Sequence, residues 1–187
     1  MNDLLHIASH FLIKGTPVSV KPLGDGLIND TYKVTTAGED TPDYVLQRIN
    51  TDIFTDVDML QRNIIGVTGH IRSKLREAGE TDLSRKTLTV VMADDGKAYR
   101  REGGSCWRMT VFIPRARTFD TVDTAHSYSA GTAFGRFEAM LADIGEMPGE
   151  IIPDFHNMEL RLRQLDDAVT NDAAGRASGV RDLLGEL

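Results

Sequence analysis

Apolar and polar residues alternate from Val18 to Val34 across a break at Gly24-Asp25-Gly26, and again along Tyr44-Val-Leu-Gln-Arg-Ile49. A period of two puts Tyr32 and Val34 on one face of a strand and Thr31 and Lys33 on the other. In the later run Val45, Gln47 and Ile49 share one face, and Tyr44, Leu46 and Arg48 share the opposite one. The pattern predicts a hairpin through the glycine turn, then a third strand after a turn at Gly38–Pro42. From about Asp56 to Glu77 the period becomes helical. Val57, Leu60, Ile64, Val67, Ile71 and Leu75 form one stripe, with Thr55 or Asp56 as cap, Asn63 beside the stripe and Gly79 as stop. A shorter stripe of Leu4, Ile7, Ala8, Phe11 and Leu12 predicts a helix over Asp3–Ile13, ended by Gly15. Further strands are expected over Thr87–Met92, Lys97–Arg101 and Trp107–Ile113, with turns at Asp94-Asp95-Gly96 and Gly103-Gly104 and a stop at Pro114. The expected arrangement is an antiparallel meander of five or six strands, with the long helix packed across one sheet face.

Beyond Pro114 the composition shifts. Arg115–Asp120 reads as a polar connector. Asp123–Ile144 reads as a helix burying Ala130, Ala133, Phe134, Phe137, Met140, Leu141 and Ile144. Gly131 and Gly135 weaken that helix and suggest a backbone passing close by. A loop over Gly145–Pro153 and a helix over Leu160–Val169 follow, then a weakly patterned tail. The expected division is residues 1–113 and 114–187.

Composition narrows the function classes. The chain has 187 residues, 41% of them hydrophobic, which is enough for a packed core. Its net charge of -7 argues against a general nucleic-acid binder but leaves a local phosphate nest possible. One cysteine, Cys106, fits a reducing compartment, and no signal peptide or membrane-length apolar run is present, so a cytoplasmic protein is expected.

Glycine lets backbone N–H groups approach a ligand closely, so Gly24 and Gly26 read either as a phosphate cradle or as a plain hairpin turn. Val45 and Gln47 lie on the face that would look onto such a ligand. Phe112, Ile113 and Pro114 form a strand-to-connector edge able to pair with an adenine. Other candidates read as structural. His6 and His10 share a helix face at zinc-compatible spacing, but no third ligand follows them in sequence. Asp94-Asp95-Gly96 reads as a turn, Trp107 as core, and Arg115 and Arg117 as a solvated connector.

Gly24-Asp-Gly-Leu-Ile-Asn-Asp-Thr-Tyr32, Tyr44–Asn50, Asn63-Ile64, Trp107-Arg108, Ala133–Phe137 and Ile152-Pro-Asp-Phe-His-Asn157 resemble the phosphotransferase family that includes aminoglycoside phosphotransferases. Within it they most resemble N-acetylhexosamine 1-kinases. The resemblance implies an α+β, protein-kinase-like small lobe followed by the first helices of a helical lobe. It implies ATP with Mg2+ as cofactors and phosphoryl transfer to a sugar hydroxyl. By resemblance the nucleotide side comprises Gly24, Gly26, Leu27, Ile28, Asn29, Asp30, Thr31, Val45, Gln47, Arg48, Asn63, Phe112 and Ile113. His156, Asn157 and Arg161 are candidates for the substrate side.

The sequence departs from the kinase pattern in three places. Gln47 stands where a phosphate-contacting lysine is expected, with Arg48 able to substitute if a bulge turns it inward. Asn63 replaces the usual glutamate partner, and a Gln47–Asn63 hydrogen bond is possible. None of the histidines at 6, 10, 70, 126 and 156 begins a His-x-Asp-x-x-x-x-Asn loop, so no catalytic residue and no metal ligand is assigned. The expectation is the N-terminal part of a longer kinase, inactive alone, with magnesium ligands in the missing part and an apolar surface prone to self-association. The alternatives are a non-catalytic nucleotide-binding or scaffold protein, or a kinase acting on an amino alcohol or aminoglycoside.

Overall fold

A computed structural model describes residues 2–24, 26–119 and 121–185. The chain divides into two compact units, Met1–Ile151 and Ile152–Leu187.

The first unit is α+β, built on an antiparallel six-stranded sheet. Helix α1 (Asn2–Ser9) is followed by strands β1 (Thr16–Pro22), β2 (Asp30–Ala37) and β3 (Tyr44–Ile49). Then come the long helix α2 (Val57–Glu77), a one-turn helix α3 (Leu83–Lys86), β4 (Val90–Val91), β5 (Arg100–Glu102), β6 (Ser105–Val111) and α4 (Thr124–Leu141). The strand order is β1-β2-β3-β6-β4, with β5 also paired to β6. The expected meander is therefore corrected after β3. The last strand inserts beside β3, and β4 and β5 both pair with β6 rather than with each other. The turn between them still forms, through Ala93 N–H to Lys97 C=O at 2.7 Å and Gly96 N–H to Ala93 C=O at 3.0 Å.

The registers place alternate residues as the sequence pattern requires. Val34 lies opposite Tyr44, and Leu46 opposite Met109, so these residues share one face. Val20, Val34, Tyr44, Leu46, Val91, Trp107 and Met109 are buried there, under Ile7, Ala8 and Phe11. The short first helix and the residues just after it therefore close this core. The helix ends at Ser9 rather than Ile13 because residues 11 and 12 turn extended: Phe11 bridges Ala93, and Leu12 donates its N–H to Met92 C=O at 2.8 Å. Leu12 leaves the stripe and is exposed. Gly15, at φ +91°, makes the reversal into β1. A Cβ there would sit 2.7 Å from the Ala37 carbonyl oxygen, so glycine is required.

The opposite face has a smaller apolar cluster of Ile49, Cys106, Val57 and Tyr99, with Phe54 and Leu60 against it. Here α2 meets the sheet through its first turn. Asp56 caps that turn by accepting the Met59 N–H at 2.8 Å. Farther along, α2 holds α4. Lys74 Nζ donates to Met140 C=O at 3.2 Å and pairs with Asp143 at 2.5 Å, and His70 Nε2 lies 3.2 Å from the same carboxylate. The Lys74 ammonium holds the Asp143 carboxyl below its usual range.

The expected burial of α4 is not found: Phe134 and Phe137 are exposed. A Cβ on Gly131 or Gly135 would meet nothing within 4 Å among the described residues, so the expected close backbone is absent there.

The second unit comprises α5 (Met158–Asn171), a 3-10 turn at Ala177–Val180 and α6 (Arg181–Leu184). Asp172 ends α5 at φ +36°, and its Oδ1 accepts the N–H groups of Arg176 and Ala177 at 2.8 and 3.0 Å. No helix of the described residues is long and apolar enough to cross a membrane.

Candidate nucleotide-binding face

Of the candidate residues, Thr31, Val45 and Gln47 sit on the sheet face opposite α1. Thr31 of β2, Gln47 of β3 and Arg108 of β6 lie directly across from one another. Side-chain bonds join them. Gln47 Nε2 donates to Thr31 Oγ1 at 2.9 Å, and Arg108 Nε donates to Gln47 Oε1 at 2.9 Å. Both ends of the Gln47 amide are thereby engaged, which fixes its orientation. The next row on this face is Lys33, Val45 and Thr110. Lys33 Nζ sits 4.5 Å from the Phe112 ring centroid and 2.8 Å from Asp43 Oδ2.

Arg108 is not among the candidates read from the sequence, yet it joins the row. It is half-buried, and burial lowers its pKa from the usual arginine value. A guanidinium nevertheless keeps its charge in proteins. Among the described residues no carboxylate forms an ion pair with it. The signal was available: period two along Trp107–Ile113 puts Arg108 on the face opposite buried Trp107 and Met109.

The glycine turn is longer than a tight hairpin. The last rung is the Leu23 N–H to Thr31 C=O bond at 2.9 Å, leaving a loop over 24–30. Gly24 takes φ +71°, in the left-handed region that glycine tolerates. Asp25 lies outside the described residues. Gly26 follows, then fully exposed Leu27 and exposed Ile28. Asn29 ties the loop to the end of β3 by accepting the Asn50 N–H at 2.9 Å. Asp30 accepts from Arg48 Nε at 2.7 Å. Ile28, Asp30 and Arg48 line a polar cleft of about 320 Å³ with Asn50, Asp52 and Ser105.

Two expected arrangements are corrected. The β3 ladder runs without a register shift on either side, so no bulge turns Arg48 to the Gln47 face. Asn63 does not bond Gln47. Its Nδ2 donates to Gly149 C=O at 2.7 Å and its Oδ1 accepts the Gly149 N–H at 3.0 Å, pinning the 144–149 loop to α2.

At the connector edge, the Phe112 N–H is bonded to Asp43 C=O at 2.9 Å, and Arg85 donates to the Pro114 carbonyl. Two of the backbone groups expected to meet an adenine are thus engaged. Ile113 lies half-buried between them.

The substrate-side candidates lie in the second unit and in the turn that opens α5. Asn157 caps that helix by accepting the Leu160 N–H at 3.0 Å and also donates to Asp154 Oδ1 at 2.7 Å. Arg161 donates to Gln164 Oε1 at 2.9 Å and Asp154 C=O at 3.2 Å, while His156 stacks edge-on against Phe155 at 4.5 Å.

A third potential donor, which the sequence spacing does not offer, stands beside His6 and His10. Glu102 of β5 joins them, so that one donor atom from each of the three lies within 4.8 Å of the others.

No family model matches the chain. Among solved structures it is similar to spectinomycin phosphotransferase, APH(9)-Ia, crystallised with ADP and spectinomycin, at 10% sequence identity and a TM-score of 0.49. The match covers 78% of this chain and 38% of that protein.

Proposed function

We propose that the first unit is the nucleotide-holding lobe of a small-molecule kinase, and that Arg108 supplies the phosphate contact for which Gln47 lacks the charge. One observation carries the reading: Arg108 is a half-buried guanidinium that donates to Gln47 within a polar sheet row and is paired with no carboxylate among the described residues. A cation removed from water and left without a counter-ion favours an anionic ligand. The loop over 24–30 supplies backbone donors, with Asn29 holding its far end. Lys33 beside Phe112 adds a second cation on the same face.

ATP is the nucleotide proposed, and a sugar hydroxyl of the N-acetylhexosamine type is the acceptor, on the strength of the sequence resemblance. When bound, magnesium would neutralise phosphate charge. Asp30 and Asp43 are already committed, to Arg48 and to Lys33, and do not form a ready magnesium set. These residues bind and orient a nucleotide. None of them is placed to take a proton from an acceptor.

Titration of the full chain with ATP tests the reading. Arg108→Ala is expected to weaken binding at least tenfold, while Arg48→Ala, whose side chain pairs with Asp30, changes it less than twofold. Equal affinity of Arg108→Ala and the unaltered chain overturns the assignment. A second reading, a non-catalytic scaffold, is favoured by the engagement of the Phe112 N–H, the Pro114 carbonyl and the Asn63 amide in internal bonds. It predicts no ATP binding by either form.

A further inference from the structure

The face of the sheet that carries α1 holds a second constellation, remote in chemistry from phosphate binding. His6 and His10 are four residues apart, one helical turn, and so project from the same side of the segment. Strand pairing brings Glu102 to them. Arg100 lies opposite Trp107, and Glu102 follows Arg100 by two, so both take the face on which Trp107 is buried beneath α1. His6 Nε2 lies 3.2 Å from Glu102 Oε1, and the two imidazole rings stand edge to face at 4.7 Å.

We propose that His6, His10 and Glu102 bind a zinc ion that fastens the N-terminal helix to the β5–β6 hairpin. Two imidazoles and one carboxylate form a donor set that zinc accepts, leaving a fourth position for water. Around a tetrahedral zinc with bonds near 2.0–2.1 Å, neighbouring donors stand about 3.3 Å apart. The His6–Glu102 separation of 3.2 Å already matches one such edge. The other donor separations, at most 4.8 Å, close by roughly 1.5 Å to reach it. Both of those separations involve His10, so its ring must turn toward the pair while the His6 ring, 63% exposed, adjusts to it.

The surrounding groups complete the arrangement. His10 Nδ1 lies 2.7 Å from Asp94 Oδ2. A carboxylate on one ring nitrogen orients the imidazole and leaves Nε2 for the ion, as around many zinc-bound histidines. Arg100 Nε holds Glu102 Oε2 at 2.7 Å, and its NH1 holds Asp94 Oδ1 at 2.8 Å. Arg100 therefore fixes both carboxylates while leaving Glu102 Oε1 toward His6. Its positive charge lies close to the cation position and tunes the affinity downward, which suits a reversible site.

The test is zinc titration of the full chain against a chromophoric chelator, with the melting temperature followed in parallel and cobalt(II) substituted as a spectroscopic probe. One equivalent of zinc is expected to bind, to raise the melting temperature, and with cobalt to give the visible absorption of a four-coordinate site. His6→Ala, His10→Ala and Glu102→Gln are each expected to weaken zinc at least tenfold. Asp94→Asn should weaken it about tenfold or more through His10. His6 is exposed, so His6→Ala tests the ligand without threatening the fold. His156→Ala serves as the control and leaves zinc affinity unchanged. Zinc affinity unaltered in Glu102→Gln reduces the feature to a two-histidine surface contact and overturns the proposal. Absence of stoichiometric binding overturns it as well.

Discussion

The two faces of the six-stranded sheet are built from alternate residues of the same strands, yet they are closed in opposite ways. On one face Val34, Tyr44, Leu46, Trp107 and Met109 are sealed beneath α1, and the residues there make shape contacts. On the other, Thr31, Gln47 and Arg108 form a half-buried, hydrogen-bonded polar row. The difference shows where stability and recognition separate. The apolar face supplies transfer free energy from buried side chains, and the polar face keeps charge available. A single β3 residue's parity decides which role it takes.

Substitution at Leu46 probes this division with the largest expected effect. Leu46 is fully buried, and Leu46→Ala should cost roughly 2–5 kcal/mol in denaturant unfolding. Its neighbour Val45, half-buried on the other face, should lose only about 1 kcal/mol on truncation to Ala. Equal costs at the two positions would break the contrast between the faces.

Arg108→Met should lose nucleotide binding with little loss of stability, because it removes a half-buried charge while keeping the stem. What it leaves unpaired is the Gln47 carbonyl oxygen, worth about 1 kcal/mol. A larger drop in melting temperature than in binding would recast Arg108 as a purely structural residue. Asn63→Ala removes two hydrogen bonds to Gly149, and is expected to cost on the order of 1 kcal/mol while speeding amide exchange of Gly149.

Acidification gives the smallest effect. The Asp143 carboxyl is held below its usual range by the Lys74 ammonium, so its contribution is present above the unfolded value and is lost as pH falls from about 4 toward the depressed folded value. Loosening of the α2–α4 contact over that acid window, seen as faster exchange at the α4 C-terminus, is the expected result. Asp143→Asn should abolish it.

Much of this was legible in the chain because it depends on local parity. The alternation over Thr31–Val34 and Tyr44–Ile49 put Val34, Tyr44 and Leu46 on the core face and Thr31 and Gln47 on the opposite one, and the three-four stripe located α2. What was not legible depended on pairing across distance. Nothing local says that β6 lies beside β3, so Arg108 could not be set next to Gln47 from sequence alone. Nor does spacing show that Glu102 returns to His6 and His10 across more than ninety residues. The end of α1 was misplaced because Phe11 and Leu12 find partners on the 92–93 segment, and that tertiary contact outweighs their helical period.

The placement of β6 also sets the order in which the sheet is made. Residues 50–104 separate β3 from the strand that covers its free edge. At a synthesis rate of about 5–20 residues per second, that edge waits roughly 3–11 seconds for its partner. During this interval the ribosome-bound chain presents Tyr44-Val-Leu-Gln-Arg-Ile49 with one row of backbone groups unpaired, an adhesive template for another nascent copy. Arg48, facing Asp30 at the strand's end, sets charge on that template. Slower emergence of residues 105–111 is therefore expected to lower the yield of soluble protein.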